Sequence, residues 1–268
     1  MSTPTLRKGL GQHHLTSGAL CRPLLEFLAP AGARVIEIGP GGGVLTRELV
    51  ATGARVAGYE LDLAWAFTLR HRLAAEGLGC GLAVADALHL DWSRLTSPTL
   101  VAGNLPYNVG TAILRSLLPY HHRVPRAGFL LQKEVAERLV AAPGSAAYGA
   151  LSVLAQAQAQ PRLLGRLRPG AFNPPPKVES CFVGLVLTPP PLPPAAMPAF
   201  ERTVFLAFGQ RRKMLRNALG SGWGRQAAEA ALAGAGLPAT ARAEELGVSE
   251  FLALHRAHAE GGGQRPPA

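Results

Sequence analysis

Apolar positions along this chain recur in two periods, and their alternation organises its first half. Residues 33–39, ARVIEIG, form a β-branched apolar run that ends in glycines, as a buried parallel strand does. Residues 43–53, GVLTRELVATG, carry apolar positions at helical spacing and close on a glycine. The pair of patterns then repeats. ARVAGYELD (54–62) predicts a second strand ending in acids, and LAWAFTLRHRLAAEG (63–77) a second helix closed by glycine. GLAVADAL (81–88) predicts a third strand, TLVAGNLPYN (99–108) a fourth, and GTAILRSLLPY (110–120) a helix. RAGFLLQKEVAERLV (126–140) reads as a strand passing into a helix. Strand and helix in strict alternation predict an α/β fold, a sheet with helices on both faces.

The pattern changes near residue 150. LSVLAQAQAQPRLLGRL (151–167) and KVESCFVGLVLTP (177–189) predict strands joined by the Pro-rich loop RPGAFNPPPKV. Residues 188–198, TPPPLPPAAMP, hold five prolines in their first seven positions and predict a stiff linker. Beyond it the spacing is helical to about residue 260, and the tail EGGGQRPPA is expected to be disordered. The expected division is therefore 1–190 as the sheet domain and 191–268 as a small helical domain.

Composition adds a core and a charge. With 48% hydrophobic and 16% charged residues in 268, the chain can bury a sizeable core and is not disordered in general. A net charge of +10 and a pI near 10.4 point to a polyanionic partner, most simply nucleic acid. No run of about 18 apolar residues predicts a membrane span. The opening MSTPTLRKGLGQHHL lacks the apolar stretch of a signal peptide, so a cytoplasmic protein is expected. Cys21, Cys80 and Cys181 are far apart and odd in number, which suits a reducing compartment and suggests neither disulfides nor a zinc site. His121 and His122 have no companion at ligand spacing, so no metal is assigned.

The candidate chemistry sits where the predicted strands end. EIGPGGG places Gly39, Gly41 and Gly43 between a strand and a helix, where the backbone can turn sharply and a ligand can approach the main chain. Glu60 ends the next strand, where an acid can accept from both ribose hydroxyls. Val44 stands where the dinucleotide fingerprint has its third glycine, which argues against a nicotinamide enzyme. Asp86 ends the third strand, placed for an adenine amino group, and Asn104-Leu105-Pro106-Tyr107 follows the fourth. Each acid alone is also a good helix cap. The succession in this order looks like an S-adenosylmethionine-dependent methyltransferase.

Asn-Leu-Pro-Tyr suits methylation of an aromatic amine, whose lone pair is delocalised into its ring. The Asn104 side-chain oxygen and the Leu105 carbonyl, turned outward by the fixed φ of Pro106, can accept the two amine N–H bonds. Tyr107 offers a face for the base, worth about 1–3 kcal/mol. A strand-ending turn explains Asn104 and Pro106 but not Tyr107. The motif serves adenine, cytosine and glutamine amides alike.

Further stretches follow in order: GQHHL (11–15), LQKEVAERL, AYGALSVLAQ, FNPPPKVES and FGQRRKMLRNAL. Together with EIGPGGG and NLPYN they resemble the small-subunit ribosomal RNA adenine dimethyltransferases over roughly residues 8–255. The resemblance implies a Rossmann-like catalytic domain, a small helical C-terminal domain, and S-adenosylmethionine as methyl donor. It implies dimethylation of N6 on two adjacent adenosines near the 3′ end of 16S rRNA, with an immature small ribosomal subunit as partner and a role in ribosome biogenesis. A monomer is expected. Carried over by position, the donor contacts are His13, Leu15, Gly39, Glu60, Asp86 and Asn104. The family's GQNFL reads GQHHL here, so His13 replaces an asparagine and His14 a phenylalanine. Phe172 is expected either to stack on the base opposite Tyr107 or to serve as a core residue. Arg211, Arg212, Lys213 and Arg216 are expected in one helix, with Arg212 and Arg216 sharing a face, either on rRNA phosphates or as a solvated surface. Two other readings stay open: an assembly factor whose docking matters more than its chemistry, and an adenine-N6 methyltransferase of 23S rRNA or DNA.

Overall fold

The computed structural model describes Pro4 and residues 12–106, 109–210 and 213–261. The chain divides into two compact units, residues 1–136 with 159–189 and residues 137–158 with 190–268. In the first unit the order of elements is β1 (His14–Leu15), α1 (Arg22–Leu28), β2 (Arg34–Ile38), α2 (Val44–Ala51), β3 (Arg55–Glu60), α3 (Leu63–Ala75), β4 (Gly81–Val84), β5 (Leu100–Asn104), α4 (Gly110–Leu117) and β6 (Arg126–Gln132), from which α5 (Lys133–Val140) leads away. β7 (Ala159–Leu167), β8 (Phe172–Asn173) and β9 (Ser180–Leu187) complete it.

Seven strands form one sheet in the order β4-β3-β2-β5-β6-β9-β7. The first five are parallel, and β9 runs antiparallel to both β6 and β7. The strand order reverses between β2 and β5, and in such sheets a ligand crevice opens at the carboxyl ends beside that point. The apolar runs read from the sequence are the central strands: Val35, Ile38, Val101, Ala102, Phe129 and Leu130 are all buried. One core packs Leu24 and Leu28 of α1, Leu45 and Leu49 of α2, and Phe182 of β9 against the sheet. α1 and the two-residue pair β1–β8 carry no pattern that marks them in the sequence.

The second unit holds α6 (Ala150–Gln156), α7 (Met197–Phe208), α8 (Leu215–Trp223), α9 (Arg225–Gly234) and α10 (Val248–Gly261). Residues 150–156 are helix, where the sequence predicts a strand from residue 151. The alternating Leu151, Val153 and Ala155 mimic a period of two, but Ser152, Val153, Leu154 and Ala155 are all buried. The Gly149 N–H donates to the Ser152 hydroxyl at 3.1 Å and starts the helix. Segment 137–158 thus packs with the helical unit, in a core with Phe200, Leu215, Leu219, Phe251 and Leu254. Inside that core the Tyr148 hydroxyl donates to the Leu246 carbonyl at 2.7 Å.

The basic run also differs from expectation. α7 ends at Phe208 with Gly209 as its C-cap, and α8 begins at Leu215 after an extended Met214. Lys213 therefore lies exposed in the connection, Arg216 lies half-buried in α8, and no single helix carries both. Arg211 and Arg212, like Tyr107 and the tail beyond 261, lie outside the described residues. No described helix is long and apolar enough to cross a membrane, and no described cluster of three or more His, Cys, Asp or Glu could hold a metal. The three cysteines are free, and burial pushes the Cys21 thiol up to about 12.

His255 of α10 sits in the helical core at 7% exposure, with Nδ1 3.2 Å from the Thr203 hydroxyl and its ring edge-on to Phe200. Burial, reinforced by His258, Arg256 and Arg202, holds its pKa below 6.5. The unfolded chain therefore takes the proton first as pH falls, and stability present above about 6.5 is lost below it. The melting temperature should drop between pH 7.5 and 5.5, and His255→Gln should flatten that decline; an equal decline in the variant would assign it elsewhere.

Candidate active site

A cleft opens at the carboxyl edge of β2, β3, β4 and β5. Its walls include Gln12 to Leu15, Glu37 to Gly42, Tyr59 to Leu61, Ala85 to Leu88, Asn104 to Pro106, Val109 and Ile113. His13, Leu15, Gly39, Glu60, Asp86, Asn104, Leu105 and Pro106 are thus brought together from five separate stretches of sequence. Phe172 is not among the lining residues. It is 3% exposed and packs in the core with its β1 partner Leu15, so the structure gives it the core role and no access to a base.

The glycine turn after β2 needs glycine. Gly41 has φ +51°, and a Cβ there would lie 2.5 Å from Cε1 of His14. The turn is held from the side by Glu60, whose two carboxylate oxygens accept from the N–H of Gly41 at 2.9 Å and of Asp62 at 3.0 Å. Burial raises the Glu60 pKa, and these backbone bonds oppose the rise. Each oxygen keeps a further lone pair, so the acid can still accept from ligand hydroxyls. Asp86 caps the 3-10 turn Ala87–His89, with Oδ1 accepting from Leu88 N–H at 2.9 Å, and lines the cleft as well.

Asn104 has one orientation. Its amide contacts the His13 carbonyl at 2.6 Å, and a carbonyl can only accept, so Nδ2 is the contacting atom. Oδ1 is left as the acceptor at the end of β5. The His13 ring in turn donates from Nδ1 to the Pro174 carbonyl at 2.8 Å.

His14 is the residue that the sequence signalled least clearly. The Gly42 N–H donates to its Nδ1 at 2.9 Å, so the ring proton is on Nε2. Burial, then the neighbouring His13, lowers its pKa and favours this neutral form. The ring stacks on Trp65, with centroids 4.4 Å apart. The same ring pins the glycine turn. Its Nε2 is buried without a protein partner beside the cleft, as a group awaiting a ligand acceptor would be. An acid with spare lone pairs, a tight glycine turn, apolar walls and an unpaired donor fit a nucleoside-type methyl donor.

Glu37 lies at 1% exposure on the cleft floor. Burial pushes its carboxyl up to about 8, with Thr46 pulling down and Glu60 pushing further up. It is neutral at physiological pH.

A mostly parallel sheet with this cleft at its switch point, lined by a glycine turn and an acid from each of the next two strands, defines a Rossmann-like S-adenosylmethionine-dependent methyltransferase. Residues 4–259 match the family described as ribosomal RNA adenine dimethylase, and the chain belongs to it. It is 41% identical over 256 residues to the ribosomal RNA small subunit methyltransferase A of Bordetella avium (strain 197N), covering 95% of each chain. It is 43% identical over 261 residues to the protein of the same name from Ruegeria sp. (strain TM1040), covering 95% of this chain and 92% of that one. Among solved structures, a dimethyladenosine transferase from Plasmodium falciparum shares the fold at TM-score 0.78 and 20% identity, over 93% of this chain and 98% of that one. The 23S rRNA methyltransferase ErmE aligns at TM-score 0.65 and 26% identity, over 89% of this chain and 97% of that one. The enzyme class is that of the family, an rRNA adenine dimethyltransferase.

Two outcomes are expected. Gly41→Ala combines a left-handed φ with a clash on His14 and should weaken S-adenosylmethionine binding by about tenfold or more, read by calorimetry. Glu37→Gln should raise the melting temperature by several degrees at pH 8 and by little at pH 5. The unfolded acid ionises near 4.5 while the folded one stays protonated to about 8, so stability falls across that window in the parent alone.

Proposed function

We propose that this protein transfers methyl groups from S-adenosylmethionine to N6 of two adjacent adenosines near the 3′ end of 16S rRNA, two to each, within an immature small ribosomal subunit. The donor supplies an electrophilic methyl carbon. The chain holds it through Glu60 at the ribose, Asp86 at the adenine, and His13, Leu15, Gly39 and Asn104 along the rest of the cleft. Asn104 Oδ1 and the Leu105 carbonyl accept the hydrogens of the target amine, and Tyr107 stacks on the base. As the lone pair took the methyl carbon, the carbon–sulfur bond would break with its electron pair to sulfur, and the two oxygens would stabilise the positive charge growing on nitrogen before the proton leaves to water. Positioning supplies the remainder, and no strong base is required. The second round presents a monomethylated amine with a single N–H, so one acceptor suffices then.

The observation that supports this reading is the bond from Asn104 to His13, which engages the amide nitrogen and leaves Oδ1 as an acceptor. The family and its relatives named for small-subunit rRNA support the substrate. Lys213, with Arg211 and Arg212 beside it, meets rRNA phosphates, as the net charge of +10 favours. Swinging the base out of its stack costs a few kcal/mol, which such contacts offset. The protein acts as a monomer in the cytoplasm.

Asn104→Ala should lower methyl incorporation into unmethylated small subunits by about a hundredfold or more, while donor affinity from calorimetry falls only modestly. Incorporation at the parent rate would remove the clamp from the account.

A further inference from the structure

The parallel sheet carries a second groove at the opposite end of its strands, lined by Arg34, Val35 and Ile36 of β2, Ala54 to Ala57 and Tyr59 on and before β3, Gly79, Arg94 to Thr96, and Thr99. We propose that this groove holds a phosphate of the RNA backbone through Arg34, Arg55 and Arg94, about one strand length, roughly 13–17 Å, from the catalytic cleft. The proposal rests on the reading of the chain as an rRNA methyltransferase and gives that substrate a second point of attachment.

The register of the sheet makes the case. Arg34 and Arg55 are Cα partners on the neighbouring parallel strands β2 and β3. Partners in a sheet project to the same face, and two like charges there are destabilising unless something compensates them. Among the described residues neither arginine makes an ion pair or a side-chain hydrogen bond, and both are exposed. Other arginines of this chain do find acids: Arg22 pairs with Glu26, Arg47 with Glu76, and Arg225 with Glu229. Arg94 adds a third positive charge to the same groove; Asp91, whose Oδ1 accepts from the N–H and hydroxyl of Ser93, offsets it only in part. A guanidinium presents two parallel donors, the fork that fits phosphate oxygens.

The connection from β4 to β5 leaves this space. It contains two single 3-10 turns, Ala87–His89 and Trp92–Arg94, where a crossover between parallel strands usually carries a helix. The residues that follow the second turn form the groove wall, and Arg123 fixes that wall by donating to the Leu95 carbonyl. A concave site with two unpaired guanidinium groups and a third beside them, in a unit that is itself net basic, fits a phosphodiester strand running across the amino edge of the sheet.

The test uses the full chain and small ribosomal subunits from cells that lack these methylations. Affinity is measured by filter binding across about 50–200 mM salt, where each neutralised phosphate steepens the slope of log affinity against log salt by about 0.7–0.9. R34Q/R55Q should flatten that slope by about 0.7–0.9, so that it loses roughly threefold less affinity than the parent over this range. R34K/R55K should keep the parent slope, because it keeps the charge. Calorimetric affinity for S-adenosylmethionine should be unchanged in both, and the melting temperature of R34Q/R55Q should be equal or higher. Normal binding by the parent with an unchanged slope in R34Q/R55Q overturns the groove alone. Binding of inorganic phosphate in the groove with an unchanged subunit slope overturns it also, in favour of a free-anion site. Failure of the parent to bind the subunit overturns the rRNA reading and this site with it.

Discussion

The bond from the Asn104 amide to the His13 carbonyl is the contact on which the catalytic cleft depends. It joins the end of β5 to a segment 91 residues earlier in the chain. The same segment is held at two other points. His14 receives the Gly42 N–H, and β1 pairs with β8, with Thr16 N–H donating to the Ala171 carbonyl at 3.0 Å just beyond. A stretch too short to be stable alone becomes a wall of the cleft because three distant parts of the fold each take one of its hydrogen-bonding groups. Those bonds also set chemistry. A carbonyl facing an amide, and an N–H facing an imidazole, each leave one arrangement of donors and acceptors, and so fix what Asn104 and His14 present to a ligand.

The floor of the cleft shows the same economy of charge. Two carboxyls, Glu37 and Glu60, line the cleft, and they are treated differently. Glu60 receives backbone N–H bonds on both oxygens, which support its charge. Glu37 is more deeply buried and remains protonated to about pH 8. The cleft thus keeps a backbone-supported acceptor where ribose hydroxyls are expected and avoids a buried charge on Glu37 beneath it, which would be costly.

What could be read in the sequence was local. Strand ends that carry glycine, Glu60, Asp86 and Asn104 announce themselves because each lies within or beside its own apolar run, and an alternating α/β chain allows few topologies. The double role of Asp86, a helix cap that also lines the cleft, was among the readings those residues allowed. Helix α6 was misread because a segment buried on all sides loses its period. The break between α7 and α8 was missed because Gly209 interrupts a run whose basic residues match helical spacing on both sides. The tie between Asn104 and His13, the place of Phe172 beneath β1, and the facing arginines of β2 and β3 all depend on register and on pairing across long stretches of chain. No window of neighbouring residues contains that information.

The account is tested most directly by mass mapping of the nucleotides that carry new methyl groups after the protein is incubated with S-adenosylmethionine and unmethylated small subunits. It predicts two adjacent N6,N6-dimethyladenosines near the 3′ end of 16S rRNA, with the monomethylated forms appearing first and then disappearing. Methyl groups confined to other nucleotides, or a product that stops at one methyl per adenosine, would contradict it.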